Sequence, residues 1–101
     1  MEMVDWMFIF ATEGCCADTH RMSMATPGGQ MTVVGVNDHD EACRVAKAAA
    51  DDGIGFIELC GDFGADGCRK VLEAVEHRVP VGYVSYFPEE WDKLMRLFGE
   101  V

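Results

Sequence analysis

Ile54-Gly55-Phe56-Ile57-Glu58-Leu59-Cys60-Gly61-Asp62-Phe63-Gly64 is the stretch from which the fold can be read. Ile54 to Cys60 is a short apolar run bounded by glycines, the pattern of a buried strand. Gly61 to Gly64 then turns the chain into a helical pattern near Ala65 to His77, with Cys68, Val71, Leu72 and Val75 as its apolar stripe. A second helical pattern lies upstream. Ala42, Val45, Ala46 and Ala49 recur at helical spacing, Asp38 and Glu41 form a D-x-x-E capping box, and Gly53 closes the helix after about Asp52. A strand set between two helices implies a sheet built largely from parallel strands with right-handed crossovers.

Working outward, Asp5 to Thr12 is a strand pattern with Trp6, Phe8 and Phe10 on one face and Met7, Ile9 and Ala11 on the other. Both faces are apolar, so this strand is expected to be central and covered on both sides. Met31 to Val36 is β-branched and reads as another strand, as does Val79 to Phe87, where Pro80 is tolerated near the start. Pro88-Glu89-Glu90 opens a last helix whose apolar face is Trp91, Leu94, Met95 and Phe98. Between the first two strands, Cys15 to Gly29 has no clear period. It reads as a long loop holding a short helix around Ala17 to Met22 and a turn at Thr26-Pro27-Gly28-Gly29.

The expected fold is one small α/β domain spanning residues 1–101, with a mainly parallel four-stranded sheet in the order β-β-α-β-α-β-α. The alternative is a ferredoxin-like α+β sandwich in which the first strand pairs antiparallel. A small parallel sheet exposes much apolar surface, so a homodimer formed through a sheet edge or the final helix is expected, with Trp91 and Phe98 covered by it.

Composition narrows the partners. The formal net charge is −10, from 18 acidic and 8 basic residues. Such a surface repels phosphate backbones and anionic membranes, so neither nucleic acid nor membrane is an expected partner. No apolar run approaches the ~18 residues of a membrane span. The acidic start Met1-Glu2-Met3-Val4-Asp5 lacks the basic region of a signal peptide, which points to a cytoplasmic protein. The five cysteines show no disulfide-framework spacing and read as free thiols.

Ligands of parallel α/β sheets bind beyond the carboxyl ends of the strands. That rule selects Thr12 to Cys16, Asn37-Asp38, Cys60 to Gly64, and Ser85-Tyr86, with Glu13 and Asp62 among them. The expected ligand-binding residues are Asn37, Asp38, Glu58, Cys60, Gly61, Phe63, Gly64 and Tyr86. Glu58 shares a strand face with Phe56 and Cys60. Apolar surroundings would raise its pKa and suit it to general acid–base work; the simpler reading is a carboxylate that reaches solvent or a structural partner. Cys60, before a turn and a helix start, is a candidate thiolate nucleophile with His20 as its base, against an inert half-buried thiol. The glycine-rich turn at Gly61 to Gly67 lacks the lysine and hydroxyl of a phosphate loop, and Asp62 and Asp66 would repel a phosphate. Cys15, Cys16 and His20 match no zinc spacing, so neither metal nor cofactor is expected.

Val34-Gly35-Val36, Ala42, Val45-Ala46, Gly53, Ile57-Glu58-Leu59-Cys60-Gly61, Phe63-Gly64, Gly67 and Val79-Pro80-Val81-Gly82 together resemble a family of roughly 100-residue prokaryotic proteins known only as a domain of unknown function. The run Glu-Leu-Cys-Gly-x-Phe-Gly is its most specific part. The resemblance covers about residues 5 to 86, leaving the tail from Phe87 as an addition. It implies a compact α/β domain and brings no catalytic residues with it. The function expected from the residues is therefore a homo-oligomeric module that binds a small ligand or a protein. The alternative is a small enzyme with Glu58 as acid or base and Cys60 beside it, acting on a small polar substrate.

Overall fold

The computed structural model describes residues 2–99. Five strands form one sheet: β1 (Trp6–Ala11), β2 (Arg21–Thr26), β3 (Gly29–Val36), β4 (Phe56–Leu59) and β5 (Val81–Tyr83). Their spatial order is β2-β3-β1-β4-β5. β1 pairs in parallel with β3 on one side and β4 on the other, and β4 pairs in parallel with β5. β2 alone runs antiparallel, as an edge strand on β3. The sheet therefore has five strands, not the four expected, and β1 is central but not antiparallel, which removes the ferredoxin-like alternative.

The additional strand is β2. Arg21 to Thr26 does not form a helix; it folds back on β3 through a two-residue turn at Pro27-Gly28. Thr26 Oγ1 accepts from Gly28 N–H at 3.2 Å, which ties the turn to its own strand. β5 is only three residues long, because the chain from Val84 leaves the sheet after one further bond, from Val84 N–H to Leu59 O at 2.8 Å.

The helices are α1 (His39–Asp51), α2 (Gly64–Ala74) and α3 (Pro88–Leu97), with a 3-10 turn at Gly61–Phe63 leading into α2. α1 connects β3 to β4 and α2 connects β4 to β5. Both crossovers step the same way across the sheet, so equal handedness puts both helices on one face. There Ala42, Ala46 and Ala49 of α1 and Cys68 and Val71 of α2 meet Met7, Ile9, Val34, Val36, Ile57 and Leu59. The small alanines let α1 lie close to the strands, as their spacing predicts. Outside the core, Lys70 of α2 pairs with Asp40 of α1, and Arg78 pairs with Asp51 at 2.7 Å.

The opposite face of the sheet carries no helix of its own. Side chains in register across it are Met22 and Met24 of β2, Met31 and Val33 of β3, Trp6, Phe8 and Phe10 of β1, and Phe56 and Glu58 of β4. Trp6 and Phe56 stack with centroids 5.1 Å apart. The expectation that β1 is covered on both faces is thus corrected. Its two apolar faces are real, but the chain's own helices cover one of them. α3 has no buried residue and stands at the carboxyl end of the strands.

Candidate functional site

The chain leaves β1 and β4, which are neighbours, in opposite directions. After β1 it crosses toward the β2–β3 edge, and after β4 it turns toward β5. Diverging exits open a crevice at the carboxyl ends of the two strands, the position where open α/β sheets hold ligands. Its walls are Thr12 and Glu13 on one side and Cys60, Gly61 and Asp62 on the other.

The crevice has two compartments that share Ala11 and Asp62. One is apolar, about 510 Å³, lined by Phe10, Thr12, Cys60 and Gly61 from the sheet end and by Tyr86, Trp91, Leu94, Met95 and Phe98 from α3 and the segments flanking it. Tyr86 and Trp91 tilt against each other at 5.9 Å. The other is polar, about 340 Å³, lined by Glu13, Asn37, Asp38, His39 and Asp62. The larger volume lies within the range of small-molecule sites, roughly 300–1,000 Å³.

Local bonding fixes the polar wall. Gly14 N–H donates to Asn37 Oδ1 at 2.8 Å, which links the exit of β1 to the exit of β3. Asp38 caps α1, accepting from Glu41 N–H at 2.8 Å. Glu41 does not return the bond to the capping residue. Its carboxylate accepts from Asn37 N–H at 2.7 Å and from Ala17 N–H at 3.0 Å, pinning the loop after β1 to the start of α1. These bonds hold the Glu41 carboxyl below its usual range, and the bond from Glu41 N–H does the same for Asp38.

His39 is the residue that sequence reasoning passed over. Its Nε2 lies 3.0 Å from Asp62 and its ring stacks on Phe63 at 4.3 Å. Gly67 makes room for it, since a Cβ there would sit 3.1 Å from the imidazole. The signal in the sequence was a histidine three positions after a strand end, facing a glycine-rich turn that starts the next helix.

The other expected site residues divide. Asn37, Asp38, Cys60, Gly61 and Tyr86 line the crevice. Phe63 does not: it is 3% exposed and belongs to the core under His39. Gly64 opens α2 with φ 59° and lines neither compartment. Glu58 is exposed on the open sheet face between Phe8 and Gly82, in line with the simpler reading of a carboxylate that reaches solvent and against the buried acid–base alternative. It lines a shallow groove along β4 and β5 that does not include Cys60. The physical reason is that strand alternation points Glu58 to the face the helices leave uncovered. His20 is held in its own loop, its Nδ1 accepting from Cys16 N–H at 2.9 Å, and it lines no cavity with Cys60.

Another groove, about 660 Å³, runs between α1 and the β2–β3 hairpin, with Arg21 and Arg44 beside Asp18, Glu41 and Asp52. Its Glu41 and Asp5 are already engaged with backbone N–H groups, Asp5 accepting from Gln30 N–H at 2.8 Å. The topological crevice has the better claim because its apolar wall gives a ligand something to bury. Among the described residues no three His, Cys, Asp or Glu side chains group as metal ligands, and no helix is long and apolar enough to cross a membrane.

A family model matches residues 4–99, nearly the whole chain. The chain belongs to DUF6506, a family of unknown function. The match runs through α3, so the tail from Phe87 is not an addition to the family's length, and the apolar wall of the crevice lies within it. No curated protein and no solved structure matches the chain.

Proposed function

We propose that this protein is a cytoplasmic, homo-oligomeric binding module that takes a small molecule in the crevice between the ends of β1 and β4. The observation that carries the reading is the divergence of the chain at those two strands, with an apolar compartment of about 510 Å³ opening directly beneath α3. The aromatic and aliphatic wall favours a ligand with a flat apolar body. Glu13, Asp38 and Asp62 at the polar end, on a chain of net charge −10, favour one that is neutral or cationic and donates hydrogen bonds. Five free cysteines suit a reducing compartment. The enzyme alternative asks for Glu58 and Cys60 in one pocket, and nothing in their placement favours it.

Indole is a suitable probe, being flat, apolar and an N–H donor. Titrated into isotope-labelled protein and followed by amide NMR, it should shift Thr12, Gly61, Asp62 and the Trp91 side chain together, and Leu94→Glu should abolish those shifts. Shifts confined to the α1–β2 groove, around Arg21 and Arg44, would sink the assignment.

A further inference from the structure

The open sheet face extends well beyond the crevice, with which its strands share Phe10. Trp6, Phe8, Phe10, Met22, Met24, Met31, Val33 and Phe56 project from it, with Glu58 among them on β4 and His20 beside Phe10 and Gly35 at the start of β2. Met22 and Met24 are 72% and 61% exposed. Isolated soluble chains seldom leave so broad an apolar surface in water.

We propose that a second copy of this chain covers it, sheet against sheet. The inference rests on the homo-oligomeric part of the reading above and goes beyond it by naming the surface, in place of a sheet edge or the final helix alone. Two observations favour a copy. The first is charge. The chain carries −10, yet the strands of its open face hold Glu58 as their one acid, and α3 sets Lys93 and Arg96 against Glu89, Glu90 and Asp92, so little of the excess negative charge falls on this face. A basic partner would find little to pair with on this face. A copy brings an equally neutral, equally apolar surface, and strands of the two sheets can pack at about 10 Å separation.

The second is area. The strands cover on the order of 400 Å² in plan. α3 stands at the carboxyl end of the same strands, its Phe98 lining one cavity with Phe10, and with Phe87, Leu97 and Phe98 exposed it adds on the order of 150 Å². Corrugation by large side chains raises the accessible area above the plan value. The sum then approaches the ~800 Å² per partner of an ordinary stable interface. A two-fold axis along β1 sets the two Glu58 carboxylates about 10 Å apart, one on each side of it, so they do not oppose each other.

Sedimentation velocity on the full chain tests this, with circular dichroism to confirm that each variant is folded. The wild type should be a dimer, and Phe8→Glu should raise its dissociation constant by about 100-fold or more. Because Phe8 is half-buried, Met24→Glu provides a second reading at an exposed position, with an expected rise of about tenfold. Tyr83→Glu, on β5 but pointing to the helix side, should leave the dimer intact. A wild type that stays monomeric at about 100 µM overturns the oligomer and the face together. A dimer that survives both face substitutions, or one that Tyr83→Glu dissociates, overturns the sheet-face assignment and leaves the oligomer standing. The crevice shares Phe10 and Phe98 with this face, so the indole shifts are read at Thr12, Gly61 and Asp62, which the face does not include; shifts there that persist in a monomeric variant keep the crevice reading apart from the dimer.

Discussion

Glu41 makes the longest-range ties of the α1 start at the rim. It ties the loop after β1 to the start of α1 through Ala17 and Asn37, while Asp38 caps the same helix. Both carboxyls have folded-state pKa values below their ordinary ones of 4.5 and 3.8. A depressed carboxyl contributes stability that is present above its unfolded pKa and is lost as pH falls through the folded value. Thermal midpoints of the wild type should therefore be level near neutrality and fall below about pH 4.5. Glu41→Gln keeps the shape but removes the charge from two backbone bonds. It should lower Tm by several degrees at pH 7 and flatten part of the acid slope. An unchanged slope between pH 5 and 3 would mean that other carboxylates, such as Asp51 beside Arg78, carry the acid sensitivity. The capping pair was legible in the sequence because D-x-x-E in front of an apolar period has a mechanism. The bonds to Ala17 and Asn37 were not, since nothing local says which loop will lie against a helix start.

At the scale of elements, β2 is the instructive error. Arg21-Met22-Ser23-Met24-Ala25-Thr26 alternates, with both methionines on one side, and Pro27-Gly28 makes its turn. Methionine, arginine and alanine are good helix formers, and that preference masked the period of two. The cost of the helical reading was a long structureless link in a small domain, which is itself evidence against an assignment. The helices were legible because their small-residue stripes had to face something, and β4 because glycines bound it. The closure of the hairpin depends on Gly29. It has φ 135°, and a Cβ there would sit 2.0 Å from the Val4 carbonyl oxygen, beside the bond from Val4 N–H to Gly28 O. The obstacle is backbone, which cannot rotate away. Gly29→Ala should cost about 3 kcal/mol in denaturant unfolding, and amides of β2 should exchange faster than those of β1. A loss under about 0.5 kcal/mol would mean that the hairpin end yields without strain.

Taken whole, the molecule is asymmetric in a way that β1 already carried in its sequence. Trp6, Phe8 and Phe10 alternate with Met7, Ile9 and Ala11, two apolar faces on one strand, but the chain has only two helices on the sheet and both crossovers put them on the same side. The sequence could say that the second face is apolar; it could not say that both helices would settle on the other one. For the crevice it was legible which strand ends would line the rim, because parallel strands end together. That the rim splits into a polar and an apolar half was not, since it depends on where α3 comes to rest. Pairing through the open face gives association a distinctive salt response. Each copy carries −10, and that charge opposes association at a distance while the contact itself is nearly uncharged. Screening shortens the reach of the repulsion from about 30 Å at 0.01 M salt to about 8 Å at 0.15 M, and it leaves apolar burial almost untouched. The dissociation constant should therefore fall several-fold between those two salt concentrations, and Tm should rise with protein concentration at the higher one. An interface held by opposite charges, such as α1 and α2 cations against a partner's acidic rim, would weaken over the same range instead. The sign of the salt effect thus separates the two geometries without any substitution.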